Sequence, residues 1–438
     1  MYFFLQIKKQ FLKVKKGGLI VFVKKTISCF LFIFQPVFYI VAIFLIIIIR
    51  IISPFYLIRW AELASSRIGH FAKEPAIIVL ENIARINVPS QKYLDIFFFR
   101  KYATNKQLKK MWKRKLIIMP RWLMKPLAQL NDILPSSKKH DVVKINRKKN
   151  LSRDINSLLK QYDPILKFKN DEEIKGKLLL LELGIKKNNK FVCLAVRDSY
   201  YLSEREPSKD YGYHDYRNGE IEKFILAAEE LANRGYNVIR MGSKVLKRLN
   251  TNNPMIIDYA NLDIRSDFMD IYLLAKCDFC ISTDYGVDEV CAIFKRPIAY
   301  VGVVPIGGLT TSDPNSLIIF KQHINKKTKK EITFREIFDH NLATAHEKSL
   351  FEKEEIILSH NTPEQIRDLA IEMDVRIKKD WKESKDEENL QKYFWLKFKE
   401  NCKKNNFQNY VKKNGETHGD YHARIGTKYL EEKKNLIN

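Results

Sequence analysis

YHDYRNGEIEKFILAAEELANRGYNVIRMGS, residues 213–243, decides the fold. Ile221, Phe224, Ile225, Ala228 and Leu231 recur at three- and four-residue steps, the one-sided pattern of a helix packed on a sheet. Gly235 stops that helix, and the apolar residues 236–239 predict a short buried strand. Packing does not explain the rest: His214, Asp215, Arg217 and Asn218 precede the helix, and the strand ends on a bare Arg240.

Outward from that stretch, four more apolar runs predict strands: FVCLAVRD (191–198), PMIIDYA (254–260), FCISTD (279–284) and PIAYVG (297–302). Helical patterns such as SDFMDIYLLAK (266–276) and GVDEVCAIFK (286–295) separate them. Continuous apolar strands alternating with helices predict a doubly wound parallel sheet covered on both faces, whose ligands collect beyond the carboxyl ends of the strands. Three polar clusters fall on that rim: Arg197 with Asp198, Arg240, and Ser282, Thr283 and Asp284 before a helix opening near Gly286. Arg217 and Asn218 precede one helix, and Arg265, Ser266 and Asp267 precede another. Guanidinium groups bind phosphate bidentately and stay charged, and the amides opening a helix make a second anion seat. The rim reads as a diphosphate site. The competing reading pairs each arginine with a surface carboxylate, Asp198, Asp215 or Asp284.

The 438 residues carry a net charge of +26, which favours anionic partners without choosing among them. Dispersed lysines and the lack of RNP-like, KH-like or zinc motifs argue against nucleic acid. No GxxxxGK[ST] and no GxGxxG after a strand occur, against a P-loop enzyme and a nicotinamide dehydrogenase. No Asp-x-Asp occurs, so positive charge for a departing nucleoside diphosphate falls to the protein, with no metal and no cofactor expected. The 6 cysteines show no framework; Cys277 and Cys280 form a CxxC without a second pair, and we read them as buried and reduced.

Residues 26–49 hold no charged side chain, and ~20 apolar residues suffice to cross a bilayer. Lysines 8–25 and Arg50, Arg59 and Arg67 flank the run, and Pro36 within it permits a bent, re-entrant or interfacial segment. Of two readings, a single span that would export the body and a helix that enters and returns, we take the second, with the body on the anionic cytoplasmic face of the inner membrane. Residues 1–58 form this segment. Residues 60–165, with the runs YLDIFFF and RKLIIMP, form a first α/β domain; 166–190 a charged linker; 191–350 the nucleotide domain; and 351–438 a helical region packing back on the first domain.

RIGHFA (67–72), KFVCLAVRDSYYL (190–202), YHDYRN (213–218), GYNVIRMGS (235–243), IRSDFMDIYLLAKCDFCISTDYGVDEV (264–290), RPIAYVGVVPIGG (296–308), NTPEQIRDLAIEM (361–373) and ARIGTKYL (423–430) run in order along the chain. Together they resemble a family of bacterial glycosyltransferases found with surface-polysaccharide genes. The second half bears a weaker resemblance to fucosyltransferase-like enzymes of the GT-B fold. The resemblance implies two Rossmann-like domains facing a cleft, a nucleotide sugar on the second and a glycan or lipid-linked acceptor on the first.

In that setting Arg197, Arg240, Ser282, Thr283 and the amides near Gly286 would take the diphosphate, and Asp284 or Asp267 a ribose or sugar hydroxyl. His214 or Asp215, beside Arg217 and Asn218, would supply a general base, with Asp198 as rival. Arg67 and His70 would reach the acceptor or a donor phosphate, with Gly69 permitting close backbone approach. The alternative is a noncatalytic membrane-surface scaffold or nucleotide-binding protein of the same fold.

Overall fold

The apolar runs of the second half become neighbouring strands. A computed structural model describes residues 35–143, 153–187, 189–200, 212–243, 245–308, 313–404 and 423–437. The strands are β1 Leu57–Leu63, β2 Tyr93–Phe99, β3 Phe191–Ala195, β4 Asn237–Arg240, β5 Ile256–Ile257, β6 Phe279–Ser282, β7 Ile298–Val303, β8 Leu317–Phe320, β9 Gln322–Asn325, β10 Ile356–Ser359 and β11 Arg424–Ile425. The helices needed below are α1 Gln35–Ile52, α2 Ile68–Ile83, α3 Lys106–Lys113, α4 Arg121–Asp132, α5 Asn170–Glu182, α6 Ile225–Asn233, α7 Asp267–Lys276, α8 Asp288–Ile293, α9 Pro363–Ile377, α10 Lys385–Lys404 and α11 Thr427–Glu432. The chain forms two compact units, one of residues 1–63, 89–101 and 116–145, the other of residues 64–88, 102–115 and 146–438.

The second unit is built on a seven-stranded sheet in the order β11-β8-β7-β6-β3-β4-β5, every pair parallel. All five sequence-predicted strands are in it. β3, β4, β6 and β7 are buried at every residue, which requires the continuous apolar runs seen in the sequence. α6 packs against α9 beside β4, and Tyr236 at the foot of β4 donates to Asp374 of α9 at 2.8 Å. Thr362 caps α9, accepting from the Gln365 amide at 3.2 Å with Pro363 at the first position, as its sequence predicts.

Three boundaries differ from expectation. α2 and α3 belong to the second unit: Lys73 of α2 makes a buried ion pair with Glu289 at 2.8 Å, and the Asn105 side chain and Lys106 amide at the start of α3 bond Asp267 of α7. The expected linker carries α5, which is held rather than free; Gln107 donates to Glu172 at 3.0 Å, and Gly176 lies against the Tyr272 ring. Residues 351–438 are not all helical, since β10 pairs antiparallel with β9 and β11 adds a parallel edge strand to β8. The aromatic stripe of α10, Phe394 and Phe398, packs on Phe320, Phe334 and Phe338 of its own unit.

In the first unit β1 and β2 pair in parallel, extended by parallel bridges from Asp141 to Trp60 and from Ile118 to Phe97. This is α/β as expected, but with two strands among the described residues. Register sets Arg59 opposite Asp95, where a buried two-pronged ion pair forms at 2.7 Å for each prong. α1 and α4 cover the sheet: Ala42, Ile46, Trp60, Phe98, Met124 and Leu127 form one buried cluster. Pro36 is the second described residue of α1, so whether the chain bends there lies outside the described residues. The basic residues 8–25 and the start of the apolar run lie outside the described residues.

Candidate functional site

At the carboxyl edge of the large sheet, the segment after β3 is tied to the segment after β6. The Arg197 amide donates to Thr283 Oγ1 at 2.8 Å, and the Arg197 carbonyl accepts from the Gly219 amide at 2.9 Å. The Arg197 guanidinium then reaches the 3-10 turn Gly212–Arg217, donating to the His214 carbonyl at 2.9 Å and to Asn218 Oδ1 at 2.6 Å. Arg217 donates to the Asp284 carbonyl and lies 3.4 Å from its carboxylate. Asp284 sits in the left-handed region at φ 54°, turning its carbonyl toward that guanidinium. Lys321, immediately past β8, is buried and donates to the carbonyls of Tyr216 at 2.8 Å and Asn218 at 2.7 Å.

Two glycines bring a further element to this rim. A Cβ on Gly69 would stand 2.6 Å from the Gly286 Cα, so the first turn of α2 touches the turn after β6 backbone to backbone. That contact sets Arg67, at the amino end of α2 and exposed, within electrostatic reach of His214.

The charges gathered here are mostly of one sign. Burial pulls the Arg197 guanidinium down to about 10, and Arg217 beside it pulls the same way. Burial lowers His214 to about 4, followed by Arg197, Arg217, Arg67 and His346, all cationic or basic. Its Nδ1 is buried and has no hydrogen-bond partner among the described residues. Burial and Arg197 also lower Lys321, to about 8. Among the described residues, Asp215, Asp284 and Glu220 are carboxylates that oppose this field. A crowd of guanidinium groups held together by carbonyls, with few carboxylates among the described residues, is chemically suited to receive an anion. Beside it a small recess is lined by Asn218, Thr283, Gly302, Lys321, His360 and Asn361, among others.

The structure thus brings together Arg197, His214, Asp215, Arg217, Asn218, Thr283 and Asp284, with Gly69, Gly286 and Arg67 alongside. Other expected residues are engaged elsewhere. Arg240 is 2% exposed and turned inward: the β4–β5 register, Val238 with Ile256 and Ile239 with Ile257, puts it opposite Asp258, 3.4 Å away. Asp267 accepts from the Lys106 amide at 2.8 Å, and Ser266 caps α7 by accepting from Met269 at 3.2 Å. Asp198 accepts from the amides of Tyr200 and Leu246 at 3.1 and 3.0 Å, which occupies both oxygens of the rival base. His70 bonds Glu74 at 2.6 Å. Ser282 is fully buried and donates to Asp288 at 2.6 Å. The same carboxylate accepts from the Tyr285 amide at 3.0 Å. α8 has six residues and opens on Asp288 and Glu289, so its own carboxylates fill the place expected to seat an anion.

Lys321, Asp288 and His346 were not singled out from the sequence. Lys321 carried a usable signal, a cation directly after an apolar run, the same that marks Arg197. His346 carried none. Cys193 and Cys280 are register partners, and with Cys277 and Cys291 they are fully buried, as read. Among the described residues no group of three or more His, Cys, Asp or Glu is arranged to hold a metal ion.

No family model and no curated protein matches the chain. Solved structures similar to it include E. coli ADP-heptose lps heptosyltransferase II, at 13% identity over 57% of this chain and 86% of that one, with a TM-score of 0.34. A glycosyl transferase family 9 structure from Veillonella parvula matches at 10% identity, 59% of this chain and 83% of that one, TM-score 0.34. The dodecameric iron-containing heptosyltransferase TibC in complex with ADP-D-beta-D-heptose matches at 10% identity, 57% of this chain and 58% of that one, TM-score 0.29. None of these three is a fucosyltransferase.

Proposed function

We propose that the chain is a glycosyltransferase that moves a sugar from a nucleotide-sugar donor to a lipid-linked or surface-polysaccharide acceptor, without a metal, at the cytoplasmic face of the inner membrane. One observation carries the reading: Arg67, Arg197 and Arg217 surround His214 at the carboxyl edge of a parallel sheet, where a diphosphate would relieve their mutual repulsion.

In this reading Arg197 and Arg217 hold the donor diphosphate and stabilise the charge it gains as the glycosidic bond breaks. Thr283 fixes the Arg197 backbone, and Lys321 fixes the turn that carries His214 and Arg217. The bound diphosphate opposes the cations that hold His214 low, raising its affinity for a proton toward what an acceptor hydroxyl requires. His214 is the base of choice over Asp198 because both Asp198 oxygens already serve backbone amides.

The test is calorimetric binding of nucleoside diphosphates and nucleotide sugars to the whole chain in a chelator, with Arg197→Ala and Arg217→Ala alongside. Binding of one nucleotide without metal, weakened at least tenfold in each variant, is expected; absence of binding, or equal binding by both variants, rejects the site. Turnover of the bound nucleotide sugar with a lipid-linked acceptor separates an enzyme from a noncatalytic binder.

A further inference from the structure

We infer that α1 lies in the plane of an anionic membrane leaflet and does not cross it. By length and composition α1 passes for a span, with 18 residues and a mean hydropathy of 2.5. Its packing within the first unit decides otherwise. Ala42 and Ile46, in the middle of the helix, are buried against Trp60 of β1, Phe98 of β2, and Met124 and Leu127 of α4. The helix is tied to α4 near both ends: Tyr39 donates to Gln129 at 2.7 Å, and Arg50 donates to Asn131 at 2.7 Å. A crossing would set the middle of α1 at the bilayer centre and carry with it the sheet of β1 and β2, the Arg59–Asp95 pair, and Lys125 and Gln129 of α4. Strand edges are not tolerated in hydrocarbon, and each charged side chain there costs about 3 kcal/mol or more.

The opposite face of α1 meets lipid instead. Ile40, Phe44, Ile47, Ile48 and Ile51 are all exposed and stand half a turn from Ala42 and Ile46, and Phe55 continues the face past the helix end. Phe44, Ile51 and Phe55 are 64%, 68% and 83% exposed, which water does not favour in so continuous a patch. The occupant is an anionic lipid surface rather than a protein groove on grounds of charge. The described residues of this unit carry nine Lys and Arg against four Asp and Glu. Lys138 and Lys139 are exposed, and Lys139 lies 3.3 Å from Ser53, at the carboxyl end of α1. An apolar helix face with a basic surround settles about 5–10 Å into the headgroup boundary. The inference rests on the membrane location proposed above and not on sugar transfer.

The experiment uses the whole chain with Cys29→Ser and Cys402→Ser, adding Val37→Cys, Phe44→Cys, Ile51→Cys or Phe55→Cys, each labelled with an environment-sensitive fluorophore. The four core cysteines are buried and do not compete. In sealed phosphatidylcholine–phosphatidylglycerol vesicles, quenching by lipids labelled at shallow and deep positions is expected to place all four probes at one shallow depth. Binding to phosphatidylcholine alone is expected to fall at least tenfold. Depth that rises and falls from residue 37 to 55 overturns the in-plane placement, probes that remain aqueous overturn membrane contact, and equal binding to both vesicles overturns the anionic preference. Nucleotide binding by the same variants reads the transferase proposal separately.

Discussion

Gly69→Ala tests whether the close approach of α2 to the turn after β6 builds the site. Gly69 is the second residue of α2, so helix propensity alone predicts that alanine stabilises the protein by about 1 kcal/mol. The contact predicts the reverse. The new Cβ would stand 2.6 Å from the Gly286 Cα and 2.9 Å from its carbonyl oxygen. Ordinary carbon contacts lie at about 3.5–4.0 Å, so the two backbones must part by about 1 Å. Neither atom belongs to a flexible side chain that could turn away. Overpacking of this kind costs about 1–3 kcal/mol, so after the propensity gain the expected net effect is a loss of up to about 2 kcal/mol. Gly286→Ala, whose Cβ meets the Gly69 nitrogen at 3.0 Å, should act similarly, and the double variant should fall short of the sum because both push on one contact. Urea unfolding reads the stability, and calorimetry reads nucleotide affinity, expected to drop about tenfold as Arg67 moves from His214. A Gly69→Ala protein that gains stability and binds nucleotide as before refutes the reasoning.

Three further outcomes are expected. The His214 resonance should titrate near 4 in the free protein and move upward by at least one pH unit with saturating nucleoside diphosphate; an unmoved titration places the anion elsewhere. Burial holds His323 and His360, like His214, at about 4 against an ordinary 6.5, so the unfolded chain takes up protons first as pH falls. Stability should therefore decline from pH 6.5 to 4 by urea unfolding, with fully buried His323 alone contributing about 3 kcal/mol at 1.36 kcal/mol per pH unit, and His323→Gln should flatten part of that slope. Lys321→Met should leave the Tyr216 and Asn218 carbonyls without their donor, costing about 1–3 kcal/mol in unfolding and weakening nucleotide binding.

The parallel sheet was legible because burial on both faces forces unbroken apolar runs, and β3 to β7 have them. β11 was not: two residues, one of them Arg424, carry no periodicity, and its place comes from pairing with β8 and from Gln391, which bonds Ile425 on both its amide and its carbonyl. Strand-end arginines were legible as a class but not one by one. Arg197 and Arg240 look alike in sequence, and only the register that sets Asp258 across from Arg240 distinguishes the buried ion pair from the guanidinium that stays at the rim. The meeting of Gly69 with Gly286 joins residues far apart in the chain, where no local pattern can show it. The two faces of α1 are hidden from a reading by hydropathy, because its exposed and its sheet-facing residues are written in one apolar alphabet.

The edge strand β11 also fixes when the sheet can close during synthesis. Its partner β8 ends at Phe320, while Arg424 and Ile425 are the last residues of the sheet to be made. At about 5–20 residues per second, the ribosome needs roughly 5–20 s to pass from one to the other. Through that interval the outer edge of β8 is unpaired, and Glu372 of α9 lacks Thr427, whose amide it takes at 2.7 Å in the finished protein. An apolar strand edge open for many seconds is exposed to aggregation, and slower translation of residues 321–423 should lengthen that exposure.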